Sequence, residues 1–277
     1  MSIADRLLEQ LGYNTLCTIG EGAFSKVKMA TSRKHQCRVA IKVIDKTKVP
    51  AEYTMKFLPR ELDILRKVRH PNVITSFEFI EINNGLQFIV MELCLTDLLA
   101  LVQSTGWLPA EKARSLFKQI TKAVQYLHKH HVAHRDLKCE NVLITSDHNA
   151  KITDFSFGIR FTNGSNLCTT YCGSPAYASP EVLHGVPYEP RKSDIWSLGV
   201  ILYVMVTGIM PFNQTNLNTL SKIQQTEVVF PRAVEVEEKC KSLIKEILQY
   251  NPNDRPDICT VIKQDWLHAA PNIQIQQ

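Results

Sequence analysis

The hydrophobic period of this chain changes near residue 95, and that change sets what the chain can fold into. Before it, "NTLCTIGEGAFSKVKMATS", "QCRVAIKVID" and "GLQFIVMELC" are apolar and β-branched runs separated by turn residues, which reads as short strands. Among them, "LPRELDILRKVRH" carries Leu58, Leu62, Leu65 and Val68 at helical spacing. Pro59 suits a first helical turn, where a missing N–H costs little. After residue 95, "PAEKARSLFKQITKAVQYLHKHH" sets Ala113, Leu116, Phe117, Ile120, Ala123, Val124 and Leu127 on one helical face behind Pro109. Further helical segments are predicted near 194–207, 235–250 and 257–268. No internal repeat, low-complexity tract or long linker interrupts the 277 residues. The expected class is α+β: a small β-rich lobe with one main helix, a larger and mainly helical lobe, and ligands between them.

Several classes are disfavoured. The net charge of +5 is mildly basic and contains no long Lys/Arg run, so nucleic acid is not an expected partner. "IWSLGVILYVMVTGIMPF" has nearly the length of a membrane span. It is interrupted by Ser197, Gly199, Thr207 and Gly208 and follows Asp194 directly, so a buried core helix is expected and membrane is not. Eight cysteines with no paired CxxC motif and no signal peptide read as reduced thiols of a cytosolic protein.

The chemistry lies in pieces that are weak singly. In "GEGAFSKV", Gly20 and Gly22 lack Cβ atoms, so backbone amides there can approach phosphates; a plain strand turn is the duller reading. "VAIK" ends at Lys42, and a lysine at a strand end usually snorkels to water. Glu61, on the helix nineteen residues later, offers a partner that would hold the ammonium toward phosphates. "AHRDLKCENVLI" is the strongest element. Asp136 can accept a proton from a substrate hydroxyl, Lys138 can neutralise a phosphoryl group in flight, and Asn141 offers an oxygen to Mg²⁺. Eighteen residues beyond Asp136, Asp154 in "KITDFSFGIR" supplies a second hard oxygen ligand, as Mg²⁺ prefers. "GSPAYASPE", "SDIWSLG" and "NPNDRPDI" follow, with Arg255 a candidate partner for Glu181.

In this order and spacing the motifs resemble those of the eukaryotic protein kinases from about Tyr13 to Leu267. The resemblance implies the bilobal kinase fold: an N-terminal extension over 1–12, a kinase domain over 13–267 with its N-lobe at 13–93 and C-lobe at 94–267, and a tail over 268–277. "DLKCEN" is similar to serine/threonine rather than tyrosine kinases. "KFLPRELDILRKVRHPNVI", "HRDLKCENVLI", "TTYCGSPAYASPEVLHGVPY" and "WSLGVILYVMVTGIMPF" look like the testis-specific serine/threonine kinase family, whose members also carry Asp-Phe-Ser. Carried over by position, the ATP site would comprise Ile19, Gly20, Glu21, Gly22, Ala23, Phe24, Ser25, Val27, Ala40, Lys42, Met91, Glu92, Cys94, Asp97 and Leu143. Asp136, Lys138, Lys42 and Glu61 would be catalytic, and Asn141 and Asp154 would hold Mg²⁺. His134, Phe155, Leu65 and Phe77 would stack as a spine anchored by Asp194. Thr170 would be the activating phosphosite, with Thr169 its near competitor. Arg135 would receive the phosphate, and Ser174 would contact Asp136 and Lys138.

The implied activity is transfer of the γ-phosphate of Mg-ATP to serine or threonine hydroxyls of proteins, in male germ-cell differentiation. Glu140 and Asp97 suggest a basic residue upstream of the target, whereas Val204 stands where many basophilic kinases place another Glu. Further implied partners are an activating kinase, or the chain itself, and a cytosolic chaperone; the implied location is cytoplasm, with nucleus second. The alternative is a pseudokinase scaffold. Only Ser25, Ser156 and Ser179 depart from the general motifs, and none is a metal ligand, base or phosphate lysine.

Overall fold

The structure is a computed structural model that describes residues 2–162, 167–212 and 216–269. Five antiparallel strands, β1 (Tyr13–Glu21), β2 (Lys26–Ser32), β3 (Cys37–Asp45), β4 (Ser76–Glu81) and β5 (Leu86–Glu92), pair in the order β1-β2-β3-β5-β4. Residues directly opposite in a ladder share a face. Val27 opposes Lys42 and Ala40 opposes Met91, so the alternation within β3 turns Ala40 and Lys42 to the same side as Val27 and Met91. The opposite face carries Ala30, Val39, Ile41, Phe88 and Val90, all fully buried.

That outer face is covered by the segment before β1. Helix α1 (Ile3–Gln10) opens with a reciprocal capping box between Ser2 and Asp5 and inserts Leu8, fully buried, into the cluster. Lys28 Nζ meets Asp5 Oδ1 at 2.5 Å and ties the helix to β2. Most of residues 1–12, an extension in the sequence reading, therefore complete the sheet's second core.

Between β3 and β4, a single π-helical turn (Tyr53–Phe57) runs directly into α2 (Leu58–Lys67), with Pro59 in the first turn of α2. The helix buries Leu58, Glu61, Leu62, Ile64 and Leu65. The second lobe begins with β6 (Thr96–Asp97) and α3 (Leu98–Thr105), followed by α4 (Ala110–Lys129), whose predicted apolar face is buried. Short strands β7 (Val132–Ala133), β8 (Val142–Ile144), β9 (Ala150–Ile152) and β10 (Ile159–Arg160) pair as β6-β8-β9 and β7-β10 beside it. They hold the two loops that carry Asp136 and Asp154.

After the short α5 (Pro180–Leu183) comes α6 (Pro190–Thr207), the long apolar run. It is buried almost all round, from Ser193 to Thr207. Gly199 lets the helix that ends at Ile247 approach it: a Cβ there would lie 2.6 Å from an Ile247 methyl group. No helix among the described residues is long and apolar enough to cross a membrane. The lobe closes with α7 (Leu217–Ile223), α8 (Glu238–Ile247), α9 (Ile258–Ile262) and α10 (Asp265–His268). The helical pattern predicted over 257–268 is thus two short helices, the first capped by Asp257, whose carboxylate accepts from the Thr260 amide at 2.7 Å.

Candidate active site

Lys42 lies at the inner face of β3 with its ammonium between two carboxylates, 2.6 Å from Glu61 Oε1 and 2.9 Å from Asp154 Oδ1. Burial alone would drive the ammonium toward neutrality, but Asp154 and Glu61 outweigh it and hold the lysine charged well above its ordinary range. Asp154 is held well below the usual carboxylate range, because the Lys42 charge and the Ser156 hydroxyl overcome its desolvation. Glu61 is 1% exposed and its pKa is pushed up, with desolvation the largest cause. One ammonium serves two carboxylates, and the more open one, Asp154, is the better ionised.

A second group forms around Asp136. Asn141 donates its side-chain amide to the Asp136 carbonyl at 2.8 Å and to Asp136 Oδ2 at 3.1 Å. The amide nitrogen is thereby spent, which leaves the oxygen as the atom of Asn141 that can meet a cation. Lys138 Nζ is 3.3 Å from Asp136 Oδ2 and donates to Ser174 Oγ at 2.8 Å, while the Ser174 amide donates to Asp136 Oδ1 at 2.8 Å. Gly173 makes this approach possible: its φ is +93°, and a Cβ would collide with the Arg135 carbonyl at 2.6 Å.

Asp194, on α6, fixes the base loop from below. Its carboxylate accepts from the amides of His134 at 2.9 Å and Arg135 at 2.8 Å, and it bonds His128 Nε2 at 2.9 Å. These bonds support a strained backbone, with φ of 65° at Arg135. His128 was not foreseen; its only signal was a polar residue on the apolar side of α4. The predicted spine is partly present. His134 and Phe155 rings lie 4.9 Å apart and Leu65 is buried. Phe77 is not part of it. A register shift in β4 between Ser76 and Glu78 turns Phe77 outward, where it is 38% exposed and stacks on His35 at 4.7 Å. The hydroxyl buried beside it belongs to Ser76.

The predicted nucleotide residues divide by position. Gly20, Val27, Ala40, Lys42 and Met91 follow the inner-face register, and Leu143 opposes Asp97 in the β6–β8 pair. Ile19 is exposed, and Glu21 pairs with Lys26 in solvent at 3.0 Å. In the loop of Gly22, Ala23, Phe24 and Ser25, the Gly22 amide donates to the Ser25 carbonyl at 2.8 Å. Glu92 accepts from the Thr75 amide at 2.6 Å and pairs with Lys151 at 2.8 Å, which joins β5 to β9. Burial raises the half-buried Cys94 thiol to about 11. Asp97 spends its carboxylate on the α3 N-terminus, accepting from the Ala100 amide at 2.8 Å.

Arg135 points toward the stretch from Phe157 to Tyr188, which contains Thr170. Its Nε donates to the Phe157 carbonyl at 2.8 Å and its Nη1 lies 3.4 Å from the Tyr188 hydroxyl, which in turn donates to the Thr170 carbonyl at 3.1 Å. Below, Glu181 and Arg255 form the expected pair, two parallel bonds of 2.6 and 2.7 Å.

Lys42 and Glu61 thus form a buried pair that meets the Asp154 carboxylate, and Asp136, Lys138 and Asn141 share one loop, a set of groups of the kind that phosphoryl transfer uses. The chain matches the model of the protein kinase domain over residues 13–267, and it belongs to that family. Its relatives are serine/threonine kinases. It is 45% identical to human testis-specific serine/threonine-protein kinase 3, with 94% of this chain and 97% of that protein aligned. It is 42% identical to human testis-specific serine/threonine-protein kinase 1 over 98% of this chain and 77% of that protein. With chicken serine/threonine-protein kinase SIK2 it shares 40% identity over 96% of this chain and 33% of that protein.

Proposed function

We propose that the chain transfers the γ-phosphoryl group of Mg-ATP to serine or threonine hydroxyls of proteins. The observation that carries this reading is the Lys42 ammonium held between Glu61 and Asp154, at 2.6 and 2.9 Å. Lys42 would hold the α- and β-phosphates. Asp136 would orient the substrate hydroxyl and take its proton as the hydroxyl oxygen bonds to the γ-phosphorus and the bond to the β-phosphate oxygen breaks. Lys138 would offset the charge on the transferring group. The donor set suits Mg²⁺: Asp154 supplies a carboxylate whose side chain is 40% exposed, and Asn141 supplies an oxygen. Bound there, the ion would neutralise phosphate charge.

The test is phosphate transfer from ATP to a generic protein substrate. Wild-type protein is expected to transfer phosphate, and Asp136→Asn and Lys42→Met to abolish transfer while the domain stays folded. Wild-type-like turnover by either variant would overturn the site. No transfer by wild-type protein that still binds nucleotide would leave a pseudokinase scaffold.

The finer reading follows the relatives. Their names suggest a role in male germ-cell differentiation, and the same likeness suggests cytoplasm and nucleus as locations. An activating kinase, or the chain itself, would phosphorylate Thr170, and a cytosolic chaperone would be a further partner. Exposed Glu140, beside Asn141, would meet a basic residue upstream of the target, whereas Val204 is buried in α6 and adds no charge. A peptide array with no basic preference at positions −2 to −4 would refute that preference.

A further inference from the structure

Tyr53 has no part in the assignments above, yet it touches two pieces of the site. It begins the π-helical turn that runs unbroken into the helix of Glu61, and it is 4% exposed. Its ring packs on Phe24, at the tip of the glycine loop, with centroids 4.6 Å apart and planes at 35°. Phe24 is itself partly buried against the main core. The Tyr53 hydroxyl is buried among the charges of the site. Burial first, then the Glu61 carboxylate, raise it to about 12, and the Lys42 charge opposes them. A π turn at the root of a functional helix shifts its side chains out of the regular 3.6 period, and such turns concentrate at functional sites.

We propose that Tyr53 is a positioning residue that couples closure of the glycine loop to the placement of Glu61. The loop must give up conformational freedom to close over phosphates, and a docked Phe24 ring offsets part of that loss. The ring that receives Phe24 belongs to the segment that carries Glu61. Loop closure therefore favours the inward position of the helix, and by linkage an inward helix favours loop closure and nucleotide binding. This rests on the kinase reading above, because the loop closes on a nucleotide.

The test is a double-mutant cycle on the full chain between Phe24→Leu and Tyr53→Leu, with Tyr53→Phe as the ring-retaining variant. Read Mg-ATP affinity by calorimetry, KM for ATP and kcat separately, and the apo melting temperature. Each leucine variant is expected to weaken ATP binding about 2- to 12-fold, an aromatic pair's 0.5–1.5 kcal/mol converted at 1.4 kcal/mol per decade. The double variant is expected to be no weaker than the worse single. Tyr53→Phe should keep wild-type affinity. Additive losses, a Tyr53→Phe as weak as Tyr53→Leu, or a Tyr53→Leu that lowers only the melting temperature would each overturn the coupling. Wild-type protein supplies the control: if it binds no Mg-ATP, the kinase reading fails, whereas normal wild-type binding with an additive cycle defeats this inference alone.

Discussion

The Ser156 hydroxyl lies 3.1 Å from the Lys42 ammonium. It also donates to Asp154 Oδ1 at 2.5 Å and sits 3.4 Å from Glu61 Oε2, so it touches all three charged members of the first site. The positive φ in this loop is at Asp154, 60°, and Ser156 is not among the described non-glycine residues with φ above zero. A glycine is therefore not required at 156 in this state. The hydroxyl ties the Asp154 carboxylate to the Lys42 ammonium through side chains.

Ser156→Gly is expected to leave Mg-ATP affinity within about threefold, because Lys42 and Asp154 keep their direct contact. It should favour loop states that need positive φ at 156, where a non-glycine residue costs about 1–3 kcal/mol, roughly tenfold or more in population. Inhibitors that require Phe155 out of its pocket should bind the variant more tightly by calorimetry. Unchanged inhibitor affinity would defeat this account, and rescue of an inactive wild-type enzyme would make Ser156 a lesion.

Activation is expected to depend on phosphate at Thr170. Arg135 is buried, and its Nη2 lacks a hydrogen-bond partner, so an anion on the segment would gain a charge-assisted bond. Activity should fall at least about tenfold after phosphatase treatment and in Thr170→Ala, given about 1.5–3 kcal/mol for a bond to a charged group. Full activity in both would show that the segment is ordered without phosphate.

Arg255→Ala is expected to lower stability by about 3–5 kcal/mol, since it strands the Glu181 carboxylate. The guanidinium also donates to carbonyls of Lys192, Gln249 and Tyr250 and lies 5.0 Å from the Trp196 ring, and its side chain is wholly buried. Arg255→Lys should not restore the loss, because an ammonium cannot make the paired bonds. Urea unfolding measures both variants; a loss under about 1 kcal/mol would show that the pair is dispensable.

Acid should loosen α1 before the rest of the sheet. Burial would raise Asp5, but hydrogen bonds from Lys28 and Ser2 hold it well below the usual carboxylate range. A depressed folded pKa adds stability above the ordinary value near 3.9, and that stability is lost as pH falls through the lower folded value. Asp5→Ala should cost about 1 kcal/mol at neutral pH through the cap, and the difference from wild type should shrink below about pH 4. Hydrogen exchange across residues 3–10 against pH would detect it; a difference independent of pH would show that the ion pair contributes nothing.

Sequence alone determined the β-rich and helical parts and the groups proposed to react. Alternation in "VAIK" puts Ala40 and Lys42 on one side of a strand, and the 3.6 period of α2 sets Glu61 beside Leu58, Leu62 and Leu65, because local backbone geometry fixes which side chains share a face. The order of Asp136, Lys138, Asn141 and Asp154 points to the proposed chemistry without any distance. Period could not foresee the register shift in β4 that turns Phe77 out, since a bulge reverses the facing of every later residue without altering composition. Nor could it foresee α1 closing the sheet, the Tyr53–Phe24 ring pair or the Ser156 hydroxyl on Lys42, a contact that spans 114 positions. Such contacts depend on how separate elements dock, and docking is decided by the shapes of packed surfaces brought together from distant parts of the chain, which no local periodicity encodes.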